Sequence, residues 1–341
     1  MYFCIKTNYF MIHSYKFYSF FLALLLWLPS AAQEGMTKES STPKGKVIIS
    51  VFTNLHSGFG IANNERGFSL DRSYFGYEYN VGKGVSFKAV VDAGKSSKVD
   101  DIQRIVFIKN AQATWKNDRW NLNLGLISTT LFKVQEDFWN YRYMLMSFQD
   151  QYKFGSSADL GFSAAYKVAN WLSMDGILIN GEGYKKIQFD DGMQFGVGAT
   201  ITPYKGFKFR LYGSINGAAN DSASDTYNLA TMAGYKNERF TVAAEYNLMK
   251  NTKHVKNHDL SGISFYTTVK ASNLIELFAR YDQLFSKDDW NIASDEKAII
   301  TGLQFKVHKY VKIAPNFRMM IPSMTGAKNR CYAYISCFFG L

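Results

Sequence analysis

Residues that could bind a metal are few and scattered in this chain. His254 and His258 stand four residues apart in the segment NTKHVKNHD. That spacing can bring two imidazoles to one metal ion on a helix, but a segment this rich in Lys and Asn does not have a helical pattern. We therefore expect exposed loop histidines, with a metal site as the less favoured alternative. Asp190 and Asp191 alone supply too few oxygen ligands to predict a calcium site.

Nucleophilic chemistry is not indicated either. It requires a base beside a nucleophile, and the sequence contains no GxSxG elbow, CxxC pair or glycine-rich phosphate loop. Cys331 and Cys337 are six residues apart, so on one extended strand they would stand about 20 Å apart and could not form a disulfide. The sequence predicts no enzyme, no cofactor and no metal, which leaves charge and shape as the properties to interpret.

The N-terminus indicates export. Phe17 to Pro29, FYSFFLALLLWLP, is an apolar run preceded by Lys16 and followed by the small residues 30–32. It is shorter than the roughly 20 apolar residues of a membrane-spanning helix. The order basic, apolar, small is typical of a secretory signal peptide. We predict a signal peptide over residues 1–32 and a mature chain that starts at Gln33, with Met11 as an alternative start.

The chain stays basic after that segment is removed. Loss of Lys6 and Lys16 lowers the formal charge from +11 to +9. A basic balance suits nucleic acid, an anionic membrane surface or an anionic solute. Export makes nucleic acid the least favoured of the three partners.

The rest of the chain alternates between apolar and polar residues, which predicts strands. Residues 33–45 read as a polar periplasmic linker, and 46–341 as the strand region. One segment shows the pattern clearly, with one apolar face and one largely cationic face: Phe207, Phe209, Leu211 and Ile215 against Lys208, Arg210, Tyr212 and Ser214.

The connections distinguish a membrane barrel from a soluble sandwich. Short turns and longer polar loops alternate along the chain. The short turns contain Gly, Asn, Asp or Pro, as at 80–84, 116–119 and 203–206. This alternation is expected of an outer-membrane barrel, in which short turns face the periplasm and longer loops face the outside. Since unpaired backbone groups are costly in hydrocarbon, a spanning sheet must close. We predict an all-β fold: a transmembrane antiparallel β-barrel of about sixteen strands in the bacterial outer membrane. Pro43, Pro203 and Pro322 should lie in linkers, turns or loops, whereas Pro315 falls inside the fifteenth strand.

The longest connection, from about Thr129 to Ser156, should fold into the lumen. Loops of this size are usually functional or disordered, and eight aromatic residues argue against disorder. The predicted pore constriction therefore has three candidate cations, Lys133, Arg142 and Lys153. Lumen-lining candidates on the strands are Arg72, Lys88, Lys208, Arg210, Lys312 and Arg318. They outnumber acids such as Glu78, Asp92, Glu245 and Glu276, which favours a weak preference for anions.

Two segments carry family resemblances. The last residues, CYAYISCFFGL, resemble the C-terminal strand by which the barrel-assembly machinery recognises outer-membrane barrels, although Leu341 stands where Phe is usual. The stretch WNYRYMLMSFQDQYKFGSSADLGFSAAYK and the motif INGEGY at 179–184 resemble porins of Bacteroidetes grouped with the phosphate-selective O/P family. That resemblance implies sixteen strands, no cofactor and a homotrimer. The better-known phosphate-selective members of that family use a ladder of arginines and lysines. Because Arg142 is the only arginine in the long loop here, the resemblance gives little support for phosphate selectivity.

The function predicted from these patterns is a passive, water-filled channel for small hydrophilic solutes, with weak preference for anions that could include phosphate. Lipid of the outer membrane is then the surrounding partner. The alternative is a non-conducting structural or enzymatic barrel. At about sixteen strands a barrel is too wide for side chains to fill, which favours the channel.

Overall fold

A computed structural model describes residues 44–95, 103–188 and 190–341. The predicted signal peptide and residues 33–43 of the predicted linker lie outside the described residues. Alternating residues form sixteen antiparallel strands. The strands are β1 Lys44–Gly60, β2 Arg66–Gly82, β3 Val85–Lys95, β4 Arg104–Lys116, β5 Trp120–Ser128, β6 Ala158–Ala169, β7 Leu172–Ile179, β8 Gln194–Ile201, β9 Phe207–Asn216, β10 Thr226–Lys236, β11 Phe240–Lys250, β12 Leu260–Lys270, β13 Ile275–Ser286, β14 Glu296–His308, β15 Val311–Pro322 and β16 Arg330–Gly340.

The sheet closes into a barrel, which confirms the predicted fold class. Each strand pairs with its neighbours in sequence, and β1 pairs with β16 through a register that includes Val51↔Phe339. Closure leaves no open edge, so the backbone of every strand can be paired within the sheet. None of the helices among the described residues is long and apolar enough to span a bilayer.

The connections between strands alternate between short turns and longer loops, as predicted. At one end the turns range from residues 83–84 to residues 202–206, and β1 begins and β16 ends at that same end. At the other end the loops reach 180–193 and 129–157. The first of these ends is called the turn end below, and the second the loop end.

Side chains alternate between the two faces of the wall. Along β9, Phe207, Phe209 and Leu211 are exposed on the outside, whereas Arg210 and Tyr212 are buried on the inside. Polar groups inside and large apolar groups outside are the arrangement of a barrel in lipid.

The prolines fit the ladder with one correction. Pro203 lies in the β8–β9 turn, but Pro322 is the last residue of β15 rather than part of a loop, since a strand end tolerates a residue that cannot donate to the ladder. Pro315 lies inside β15. The β14–β15 pairing stops at Gly302↔Asn316 and resumes at Phe305↔Ile313, so the interruption lies opposite the proline.

The loop 129–157, which we call the constriction loop, folds into the lumen as predicted. It contains two short helices, α1 Lys133–Trp139 and α2 Phe148–Gln151. Seven of its eight aromatic residues are at most 5% exposed: Phe132, Phe138, Trp139, Tyr141, Tyr143, Phe148 and Phe154. Four of them pack in one cluster with inward-facing strand residues such as Tyr266 and Phe278, and the other three join two further clusters with strand residues such as Tyr212 and Leu284. The loop therefore shares its core with the barrel wall.

Candidate functional site

One side of the barrel wall holds the constriction loop by its backbone. Inward-facing side chains of β9, β10, β13 and β15 donate hydrogen bonds to carbonyl oxygens of the loop. The bonds join Arg210 to Thr130 (3.0 Å), Asn228 to Phe154 (2.7 Å), Arg280 to Met146 (2.8 Å) and Arg318 to Met144 (2.9 Å). We call β9–β15 the anchoring wall. A buried carbonyl left without a donor is costly, so these bonds fix where the loop lies.

The arginines of the anchoring wall are themselves fixed by other groups. Arg280 binds the Asp282 carboxylate through Nε and Nη2, and its guanidinium lies 4.9 Å from the Trp139 ring. Arg210 also binds a carboxylate with two nitrogens, donating to Asp175 through Nη1 and Nη2. No carboxylate in the described part of the chain forms an ion pair with Arg318, whose guanidinium lies 3.7 Å from the centre of the Tyr334 ring. Arginine suits such sites because its planar fork matches carboxylates and stacks on rings.

The centre of the loop is a compact charge cluster around Arg142. Its Nη1 lies 2.5 Å from a carboxylate oxygen of Glu136 and 2.5 Å from one of Asp150. Burial opposes ionisation of Asp150, but the charge of Arg142 and its hydrogen bond outweigh burial and hold the pKa of Asp150 below its usual value. Arg142 Nη2 also reaches to 3.5 Å from the Tyr74 hydroxyl on β2, so the loop approaches both sides of the lumen.

The opposite side of the lumen, β2–β6, which we call the channel wall, carries cations of another kind. Among the described residues, no carboxylate lies within ion-pair distance of the Lys109 ammonium on β4. It donates to the Ser157 hydroxyl at 3.0 Å and lies 5.0 Å and 4.9 Å from the centres of the Tyr74 and Tyr184 rings. A lysine held by a hydroxyl and aromatic faces is stabilised without being neutralised by a paired carboxylate.

Between Lys109 and the turn end, the inner face of the channel wall is polar. Amides and hydroxyls hydrogen-bond to one another across β4, β5 and β6, and most are only partly buried. These side chains are Asn110, Gln112, Thr114, Asn123 and Ser163. Such a surface can exchange hydrogen bonds with water at little cost.

A second loop, residues 180–193, contributes to the same region. The carboxylate of Asp159 accepts hydrogen bonds from the backbone N–H groups of Gly181 (2.9 Å) and Gly183 (3.0 Å), whose φ values of +108° and +82° favour glycine. This bend directs Tyr184 inward, where its hydroxyl donates to Asp92 at 2.5 Å. Arg72 binds the same carboxylate oxygen at 2.5 Å. The INGEGY segment therefore positions a lumen residue.

The three loop cations predicted at the constriction lie in different environments. Arg142 is in the central cluster. Lys133 is exposed and pairs with Asp137 one helical turn away, and Lys153 is exposed and donates to the Asp150 carbonyl at 3.2 Å. Loop acids absent from the predicted site, Glu136 and Asp150, therefore offset the positive charge of Arg142.

The six strand cations predicted to line the lumen all lie on the inner face, but they divide between the walls. Arg72 and Lys88 belong to the channel wall, and Lys88 stands opposite Glu78 in the β2–β3 register. Arg210 and Arg318 hold the loop. Lys208 and Lys312 lie 5.9 Å and 5.4 Å from the centres of the Phe138 and Phe338 rings.

The sequence pattern did not predict Lys109 as a lumen residue, because a β-bulge in β4 directs its side chain into the lumen. Val90 pairs with Asn110 and Val91 with Ile108, so Lys109 is the extra residue of β4. A bulge brings two successive residues out of simple alternation, and bulges often occur beside functional sites. Alternation alone therefore could not assign this side chain to the lumen.

The two loop histidines lie at the loop end. His258 stacks on Trp290 with ring centroids 4.2 Å apart, and His254 Nδ1 lies 3.1 Å from the Ser224 carbonyl. No group of three His, Cys, Asp or Glu residues suited to a metal occurs in the described part of the chain.

Comparison with known proteins supports the fold class. No family model matches the chain, and no curated protein matches its sequence. Among solved structures it is similar to OprB of Pseudomonas putida, with a TM-score of 0.66, 9% identity and coverage of 87% of this chain and 94% of that one. It is also similar to an anion-selective porin of Comamonas acidovorans (TM-score 0.65, 11% identity, 88% and 100% covered) and to Salmonella typhi OmpF (0.63, 12%, 89% and 100%).

At these identities the similarity establishes the fold and leaves the solute open. The fold is that of outer-membrane barrels, and the structural neighbours are porins. The resemblance to the phosphate-selective O/P porins stays a prediction.

Proposed function

We propose that this chain is a passive pore of the bacterial outer membrane that admits small hydrophilic solutes. The observation that carries the proposal is the asymmetric lumen: the constriction loop is anchored to β9–β15, while β4–β6 present hydrogen-bonding side chains opposite it. A sixteen-strand barrel is wide enough for a channel beside such a loop. Transport of this kind requires no cofactor.

We further propose a weak preference for anions, set mainly by Lys109. One guanidinium, Arg142, faces two carboxylates, Glu136 and Asp150, so the cluster has a formal charge of −1 and does not itself attract anions. Lys109 lies beside this cluster and is held by a hydroxyl and two rings rather than by a carboxylate. A fixed positive charge in a low-dielectric lumen raises the local concentration of anions. Phosphate is one candidate among them.

The test is single-channel conductance of the refolded chain in a planar bilayer, with the reversal potential measured across a salt gradient. We expect stable ohmic steps and a reversal potential that indicates anion preference. Block by added phosphate would support phosphate as the preferred solute, whereas unchanged conductance would remove that part of the proposal.

Lys109→Glu tests the residue assignment. It should lower the anion-to-cation permeability ratio severalfold, because it changes the local charge by two units in a site where water does not screen it fully. The matched control is Lys116→Glu, which makes the same charge change at the exposed turn end of the same strand. Equal shifts from both variants would mean that overall charge, and not Lys109, sets the preference.

A non-conducting barrel is the second candidate, because the constriction loop touches both walls. It is bonded to Arg318 on β15 and reaches Tyr74 on β2. Absence of conductance from a barrel whose folding is verified by heat-dependent gel mobility would favour this candidate.

Assembly follows the same proposal. We propose that β16 is the strand read by the barrel-assembly machinery and that three copies associate in the membrane. The outward face of β16 carries Ala333, Ile335, Cys337 and Phe339, as the alternation predicts.

A further inference from the structure

The outer surface of the barrel contains an apolar groove that the pore does not use. It crosses β9–β14 and has a volume of about 700 Å³. Small outward-facing residues form its floor, and large ones flank it: Ala233, Ala244 and Ala279 between Phe207, Phe265 and Ile299.

The recess has a simple origin in the register. Ala233 pairs directly with Ala244 across β10 and β11, in a belt where most outward positions hold Phe, Leu, Tyr or Val. Phe265 and Phe207 remain 49% and 43% exposed beside it. The volume falls in the range of roughly 300–1,000 Å³ that is usual for small-ligand sites. The groove therefore has the size and apolarity to hold a hydrocarbon chain.

The charges at the ends of these strands give the groove a direction. At the turn end, the exposed residues Lys205, Arg239 and Lys270 stand two or three residues from groove-lining Phe207, Val242 and Thr267, which is within about 10 Å at the rise of a strand. At the loop end, the connections of the same strands carry six aspartates against three lysines, a formal charge of −3: Asp221, Asp225, Asp259, Asp288, Asp289 and Asp295 against Lys253, Lys256 and Lys287. A ligand with an apolar tail and an anionic head would point its head toward the turn end.

We propose that this groove binds an anionic phospholipid of the inner leaflet, with one acyl chain on the alanine floor and the phosphate at Lys205, Arg239 and Lys270. The inference rests on the proposed placement of the barrel in the outer membrane with its turn end in the periplasm. Burial of the chain against the flanking aromatic residues supplies apolar contact, and the basic turns supply attraction to the head group.

The test is native mass spectrometry of the detergent-solubilised full barrel titrated with phosphatidylglycerol or with zwitterionic phosphatidylcholine. We expect preferential retention of phosphatidylglycerol. Substitution of Lys205, Arg239 and Lys270 by Gln should weaken that binding by about fivefold for each basic residue removed. The matched control, Lys116→Gln with Arg119→Gln, removes basic residues from the β4–β5 turn and should have little effect.

Variants of the floor test the groove itself. Ala244→Phe should fill it and reduce phosphatidylglycerol binding, with Ala279→Leu as a second variant if the first fails the gel-mobility test for folding. Equal loss in the β4–β5 control, or full binding in a folded groove variant, would overturn the proposal. A groove variant that changes the oligomeric mass but not lipid binding would assign the groove to a second copy of the chain and also overturn it.

Conductance of the same preparations separates this inference from the proposed function. A conducting barrel without preference for phosphatidylglycerol refutes the lipid site alone. A barrel that binds phosphatidylglycerol specifically but does not conduct refutes the pore alone.

Discussion

The two sides of the lumen use positive charge in different ways. On the anchoring wall, Arg210, Arg280 and Arg318 are at most 8% exposed and bind carbonyl oxygens of the constriction loop. On the channel wall, Lys109 rests on two tyrosine rings. The sequence pattern predicts Arg210 and Arg318 as lumen cations but predicts neither Arg280 nor Lys109. The comparison shows that lumen charges of the same sign differ in their partners: some bind the constriction loop, whereas Lys109 has no paired carboxylate among the described residues.

The difference follows from side-chain chemistry. Arginine presents several donors in one plane and stays charged when buried, so it can bind a carboxylate and a carbonyl together, as Arg280 does. Lysine offers a compact charge on a flexible stem, which is easier to leave facing water. The predictions below test this division between the two walls.

The largest effect is expected for Arg280→Met on the anchoring wall. It leaves the Asp282 carboxylate, which is 0% exposed, without its partner and frees the Met146 carbonyl. Breaking a buried pair in this way costs about 3–5 kcal/mol. We expect a loss of that order in the free energy of unfolding, measured by urea titration of the refolded barrel, together with noisier conductance.

The control for this prediction removes both charges. Arg280→Met combined with Asp282→Leu should recover much of the lost stability, because no unpaired charge stays buried. A single variant within about 1 kcal/mol of the wild type would contradict an anchoring role.

The next effect is expected for Arg142→Ala in the centre of the loop. Glu136 and Asp150 lose their shared cation, so selectivity should shift severalfold toward cations in reversal-potential measurements. The shift should also depend on pH. Without Arg142, burial is less opposed and raises the pKa of Asp150, so the cation preference should fade as the pH drops through that raised pKa.

The wild type should not show that pH transition. Its Asp150 pKa is held below the ordinary value of about 3.9, so the carboxylate stays ionised down to more acidic pH. Arg142→Lys keeps the charge but has no second nitrogen to reach Tyr74 while the first binds both carboxylates, and it should lie between wild type and Arg142→Ala. Identical pH profiles for all three proteins would show that the cluster lies away from the path of the ions.

The fold was accessible from the sequence because a barrel repeats one local rule. The alternation of apolar and polar residues, as along β9 and β16, can be recognised from residues close together in sequence. The same holds for the difference between short turns and long loops. The site was less accessible. The pair Arg142–Tyr74 joins residues 68 positions apart, and Lys109 enters the lumen through a bulge, so neither follows from a periodic pattern. The INGEGY motif was visible, but only the Asp159 contacts show how it directs Tyr184 inward.

The smallest effect is expected for Lys133→Gln, which tests whether position in the constriction loop is enough to give a cation influence. The side chains of Lys133 and its partner Asp137 are 55% and 63% exposed, so their interaction is well screened. We expect a loss of at most about 0.5 kcal/mol in unfolding free energy and a smaller shift in reversal potential than Lys109→Glu produces. If Lys133→Gln shifts the reversal potential as strongly as Lys109→Glu, the path of the ions runs beside α1, and the division between an anchoring wall and a channel wall must be redrawn.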